Sequence, residues 1–252
     1  ADLAIIVVGE RPYAEMLGDI GDGNGDHRLT LSDQHQKYID TYTKNGVKTI
    51  VILVSGRPLV TTNQIENSDA FIVAWLPGSE GGGVAEVMFG DYNFKGKLPH
   101  SWPKSIEDYK GKYGPNFWDK SINPLYEFGY GLSYTTFEYS DLEIISQSGT
   151  TIELSVAVTN SGRIQGKEVV QLYVKDTEST TWMPHKQLRG FKRILLKKGE
   201  KKMVEFKLSA SKDLCHYDAI KQSYTVEPGD FEIQIGSSSK NIMLKKIISV
   251  KH

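Results

Sequence analysis

The chain has 252 residues, enough for one large or two ordinary domains, with the apolar fraction and scattered charge of a globular protein. Its 30 basic and 31 acidic residues nearly cancel, so no basic field selects nucleic acid or an anionic membrane as a partner. The single cysteine, Cys215, excludes an internal disulfide, and no apolar run approaches the ~20 residues of a membrane-spanning helix.

Leu3 to Val8 is an unbroken apolar run rich in Ile and Val, the pattern of a strand buried on both faces of a parallel sheet. It stops at Gly9, and a polar loop follows that carries Glu10, Arg11, Tyr13, Glu15 and Asp19. Ligands of open α/β sheets sit beyond the carboxyl ends of the strands, so this loop lies where a site is expected. Ile20 to Arg28 is too rich in Gly and Asp for regular structure. Ser32 is a helix N-cap, and the helix runs to about Lys44, where Asn45-Gly46 stops it. Val47 to Val54 is a second buried strand, closed by Ser55-Gly56-Arg57-Pro58. A short helix covers Thr62 to Asn67, and Ala70 to Ala74 is a third strand ending in Trp75-Leu76-Pro77-Gly78. The loop from Gly78 to Gly83 leads into a helix from about Val84 to Phe89. This order predicts a parallel sheet with right-handed crossovers. Three strands make a small sheet whose first strand starts almost at Ala1, so the chain reads as part of a longer protein, cut within a domain.

From Asp91 to Tyr134 the chain has little periodicity and is full of Pro, Gly and aromatic residues, Trp102 and Trp118 among them. A stretch this long is usually functional or laid over another surface, and it is too apolar for a flexible linker. From Phe137 the apolar period becomes two. Strands are expected over 142–145, 152–159, 169–174, 189–196, 203–208, 223–226, 231–235 and 242–250. Turn residues separate them at Asn160-Ser161-Gly162, Lys198-Gly199-Glu200 and Pro228-Gly229-Asp230. This is the pattern of an immunoglobulin- or fibronectin-like sandwich without a Cys-Trp-Cys signature. The fold class is therefore α/β plus all-β, with domains at 1–134 and 135–252.

Asp22, Asn24, Asp26, Thr30 and Asp33 have the oxygen-ligand spacing of a calcium loop, but His27 stands where the sharp turn wants glycine. No metal or cofactor is assigned, and calcium at Asp22, Asn24, Asp26 and Asp33 stays open. The glycine loops at Gly9 and Gly78 to Gly83 fit neither a dinucleotide nor a P-loop spacing. His185 and His216 read as structural.

Five stretches in series carry a family resemblance: Val54 to Pro58, Ala74 to Gly82, Leu98 to Pro103, Phe128 to Phe137 and Lys186 to Arg193. Together they resemble the C-terminal half of glycoside hydrolase family 3, the β-glucosidase family. The resemblance implies the later part of an α/β-sandwich domain, then a fibronectin type III-like domain, with an N-terminal barrel domain and the first strands of the α/β sandwich missing. It also implies a retaining mechanism that uses two carboxyl groups about 5 Å apart. The family's nucleophile is an Asp of the barrel, for which no matching segment is present. Val8 to Asp19 resembles the acid/base loop of the plant-exohydrolase-like branch, which puts the acid/base at Glu15. Glu10 is a competitor, and Glu80 reads as the cap of the helix after it.

The implied substrate is a β-linked oligosaccharide or β-glucoside. Arg11 and Tyr13 are candidate substrate contacts, Trp182 is a candidate for a distant sugar subsite, and Trp75 reads as core. The chain alone is expected to be inactive. A periplasmic or secreted location is preferred over a cytoplasmic one. The alternatives are a non-catalytic carbohydrate-binding or scaffold module and a calcium-stabilised adhesion protein. Glu15 in its loop argues for the enzyme, since a scaffold has no use for it.

Overall fold

The computed structural model describes residues 1–10, 29–109 and 123–251. They form two compact units. The described residues of the first are 1–10, 29–91, 102–109 and 124–126; those of the second are 92–101, 123 and 127–251.

The first unit is a parallel sheet of three strands, β1 (Leu3–Gly9), β2 (Lys48–Val54) and β3 (Ala70–Trp75), in the order β1-β2-β3. Helix α1 (Asp33–Thr43) starts at Ser32, whose hydroxyl accepts a bond from the His35 amide at 3.3 Å, and Gly46 turns the chain back with φ of 70°. It packs on β1 and β2 and fully buries Ile39. Helices α2 (Thr62–Asn67) and α3 (Gly81–Phe89) follow β2 and β3.

One expectation fails here. β1 is not buried on both faces: Ala4, Ile6 and Val8 point inward, while Leu3, Ile5 and Val7 are 46%, 47% and 63% exposed. α3 likewise buries none of its residues. An apolar run encodes the demand for two covered faces, and α1 lies over only one of them.

The second unit is an antiparallel sandwich. One sheet has the order β4-β5-β8, from Phe137–Ser148, Thr151–Asn160 and Lys201–Ser209. The other has the order β12-β11-β6-β7, from Ile242–Val250, Gly229–Gly236, Gly166–Asp176 and Gln187–Leu196. Alternate residues of the central strands fill the core: Leu154, Val156 and Val158 from β5, Leu172 from β6, Phe206 from β8 and Ile233 from β11. A single helical turn, α4 (Ala210–Asp213), leads into a small hairpin of β9 (His216–Asp218) and β10 (Ser223–Thr225). β9 is too short for periodicity to reveal. β4 begins earlier than expected because bulges between Ser140 and Glu143 and between Ile144 and Ser146 break its alternation.

Asn160 ties the turns of this sandwich together. Its fully buried side chain donates to the Ile164 and Leu196 carbonyls at 2.8 and 3.0 Å and accepts from Thr135 Oγ1 and the Gly162 amide at 2.6 and 3.1 Å. Asn160→Ala leaves several buried polar groups without partners and is expected to destabilise the sandwich by about 2–4 kcal/mol in denaturant unfolding. A loss under ~0.5 kcal/mol, the size of an ordinary surface change, would contradict this role.

Candidate active site

The carboxyl ends of the three parallel strands meet at one edge. β1 reaches it at Gly9, where a Cβ would stand 2.7 Å from the Val54 carbonyl oxygen. Only glycine lets the two strand ends run this close. The next residue, Glu10, donates its amide to that same carbonyl at 3.3 Å. Its side chain folds onto the turn after β2: Oε1 accepts from Ser55 Oγ at 2.6 Å and Oε2 from Arg57 Nε at 3.0 Å. The Glu10 and Arg57 side chains are only 12% and 14% exposed. Ser55 Oγ also accepts from the Arg57 amide at 3.2 Å, which fixes the turn that presents the guanidinium.

β3 joins the same edge. The Ser55 amide donates to the Trp75 carbonyl at 3.1 Å, after a register shift between Leu53 and Val54. Trp75 has φ of 55°, a left-handed conformation costing about 1–3 kcal/mol for a bulky residue, of the kind that collects at functional edges. Its ring tilts against Trp102 at 5.9 Å, and Trp102, itself buried, donates its indole N–H to the Leu59 carbonyl at 2.8 Å. The three strand ends are therefore held by a carboxylate clamp, a strained tryptophan and a second tryptophan behind it.

Both carboxylate oxygens of Glu10 accept hydrogen bonds, which hold its side chain against the turn after β2. Glu15, Arg11, Tyr13, Asp19, Asp22, Asn24, Asp26 and Trp118 lie outside the described residues. Asp33 is the first residue of α1, and no group of three His, Cys, Asp or Glu side chains among the described residues could hold a metal ion. Glu80 occupies the N-cap position of α3 but makes no side-chain cap bond. Its carboxylate accepts from Ser79 Oγ at 3.1 Å instead, so the capping expectation holds for position alone. Trp75 is half-buried, Trp182 is exposed, and His216 is buried 3.9 Å from Glu227. The clamp itself escaped sequence reasoning. Its signal was a serine and an arginine directly after the second strand, on the edge that also carries Glu10.

The profile described as "Glycosyl hydrolase family 3 C-terminal domain" matches residues 1–134, and that of the "Fibronectin type III-like domain" matches residues 168–239. The chain belongs to glycosyl hydrolase family 3. It is 34% identical to the periplasmic β-glucosidase of Salmonella typhimurium, over 96% of this chain and 34% of that protein. It is 38% identical to a β-xylosidase of Formosa agariphila, over 98% of this chain and 35% of that protein. The structure of β-glucosidase 3B from Thermotoga neapolitana superposes with a TM-score of 0.84 at 31% identity, covering all of this chain and 38% of that one. The chain thus spans about a third of the length of the curated family 3 relatives it matches. No helix among the described residues is long and apolar enough to cross a membrane.

The clamp generates a stability prediction. Removing one partner of a buried, hydrogen-bonded pair strands the other, so Glu10→Ala and Arg57→Met should each destabilise the first unit by about 2–4 kcal/mol in chemical denaturation. Ser55→Ala should cost about 1 kcal/mol. Wild-type stability in Glu10→Ala would show that the pair does not hold this edge together.

Proposed function

We propose that this chain is the part of a retaining β-glycosidase that supplies the acid/base carboxylate, acting on terminal β-D-glucosyl-type residues. The observation that carries the reading is the Glu10–Ser55–Arg57 clamp, found at the carboxyl edge of a family 3 sheet. It fixes the chain immediately before the loop of Arg11, Tyr13 and Glu15. Glu15 is the acid/base, and Arg11 and Tyr13 contact the substrate. The second carboxylate is the nucleophilic Asp of a barrel domain contributed by polypeptide beyond the third of the family that this chain represents. The uncovered row of Leu3, Ile5 and Val7 supports such a partner, because an apolar strand face is stable when another layer covers it. A periplasmic or secreted location fits the periplasmic relative.

In this reading Glu15 begins protonated and gives its proton to the leaving glycosidic oxygen while the Asp attacks the anomeric carbon. The glycosyl–Asp ester then forms and the C–O bond to the leaving group breaks. Glu15, now a carboxylate, takes a proton from water as the water attacks the same carbon from the opposite face. That step releases the sugar with its configuration retained and restores the protonated acid.

With the chain joined to its barrel-bearing segment, Glu15→Ala should slow substrates with poor leaving groups by orders of magnitude more than aryl glycosides with good ones. Azide should then restore turnover and yield a β-glycosyl azide, since the missing side chain leaves room and no longer repels an anion. Hydrolysis of all leaving groups at the wild-type rate by Glu15→Ala would refute the assignment. So would azide rescue that follows Glu10→Ala instead.

A further inference from the structure

The outer face of the β6–β7 pair gathers positive charge. Val170, Leu172 and Val174 of β6 fill the core, so Lys167 and Val169 point outward. Lys167 pairs with Leu195 and Val169 with Arg193, which makes Lys167 and Arg193 diagonal neighbours on that face, within reach of long side chains. Glu168 alternates to the other side, where it is buried and paired with Lys97 at 2.9 Å. A second segment of the same unit adds two more groups. A Cβ on Gly166, the first residue of β6, would stand 3.3 Å from Asn93 Nδ2, so the chain around Asn93 lies directly against the start of the strand. Asn93 is fixed there: its Nδ2 donates to Ser133 Oγ at 3.0 Å and its Oδ1 accepts from the Tyr134 amide at 2.8 Å. Tyr92 and Lys95 flank it. The Lys95 ammonium stands 3.5 Å from the centre of the Tyr92 ring, and Tyr92 is 45% exposed.

The field at the Tyr92 hydroxyl is positive. The adjoining Lys95 ammonium holds the phenol below its usual range, and the charges of Lys167 and Arg193 lower it further. Among the described residues none of Lys95, Lys167 and Arg193 has a carboxylate partner. The Tyr92 ring attracts the Lys95 ammonium but supplies no anion. The other lysine group of this sheet is compensated: Lys245 pairs with Glu232 at 3.4 Å, and Lys186 donates to Gln234 Oε1 at 3.0 Å and to the Ser239 carbonyl.

We infer that Lys95, Lys167 and Arg193, with the Tyr92 hydroxyl as a further donor, form a binding site for a doubly charged tetrahedral oxyanion, a phosphate or sulfate group. A dianion matches more of this charge than a single carboxylate does, and its oxygens accept from several donors at once. The Arg193 guanidinium offers two parallel donors to such a group, and the two ammonium groups act as point charges beside it. Lys95 and Lys167 are half-buried, so salt screens them less than charges on an open surface. Asn93 holds its segment in place before any ligand arrives, which lowers the ordering cost of binding. A free ion and a group borne by a sugar present the same oxygens to these donors. The site belongs to the sandwich unit and stands independently of the glycosidase reading.

The test is equilibrium dialysis of the 252-residue chain in low-salt buffer against inorganic phosphate and sulfate, with glucose 6-phosphate and glucose as further probes. Saturable binding of both inorganic anions is expected. Lys167→Gln and Arg193→Gln should each weaken it about tenfold, the worth of one hydrogen bond to a charged group. Arg193→Lys should keep part of the affinity, and Tyr92→Phe should lose less than either lysine or arginine removal. Lys207→Gln, which takes an equal charge from the exposed pair with Glu153, should leave binding unchanged. Unfolding transitions at the wild-type position would show that the variants fold. Glucose 6-phosphate binding more tightly than phosphate would identify the ligand group as sugar-borne, and the reverse order would identify it as the free ion; glucose itself should not bind. No saturable binding at millimolar phosphate or sulfate would overturn the inference. Binding that survives Lys167→Gln combined with Arg193→Gln would also overturn it, as would an equal loss in Lys207→Gln, the mark of general charge attraction.

Discussion

The first unit depends on a buried ion pair that needs both of its partners. Glu10 and Arg57 come from different strand ends, and each would lose several kcal/mol of solvation if buried alone. Together, with Ser55 supplying a further hydrogen bond, they are accommodated only when β1 and β2 end side by side. Gly9 permits that approach, and the Ser55 amide extends the arrangement to the strained Trp75 on β3. The position of the Gly9–Glu10 strand end is therefore set by electrostatics and close backbone packing.

The sandwich solves a different problem. Its core is apolar and continuous, so strand pairing follows from period-two burial with little polar guidance. Two polar side chains act where regularity stops: Asn160 at the turn after β5, and Glu227 between the Trp182 loop and the β9–β10 hairpin. In both places a side chain with two or more acceptor or donor sites gathers backbone groups that no strand partner can satisfy.

Much of this was legible in the sequence because the signals were local. α2 matches its expected limits, and the start of α1 was written in Ser32 and its end in Asn45-Gly46. Most sandwich strands lie where alternation placed them, since one buried face enforces that alternation. β9 was missed because a three-residue strand carries no period. The exposed face of β1 was missed because Leu3 to Val8 encodes the demand for burial without naming what meets it. The Glu10–Arg57 clamp was hidden for a third reason: its partners are 47 residues apart and meet only because β1 and β2 end side by side. The expectation at Glu15 came from the likeness of Val8 to Asp19 to a family motif, which periodicity and spacing could not have supplied.

The central claim is a division of labour: this chain brings one catalytic carboxylate, and the barrel-bearing segment brings the other. The most direct measurement is the initial rate of aryl β-glucoside hydrolysis by the chain alone, by the barrel-bearing segment alone and by the two joined. The account predicts turnover by the joined protein and none above background by this chain. Steady hydrolysis by the purified chain alone, tracking it through successive columns, would contradict it.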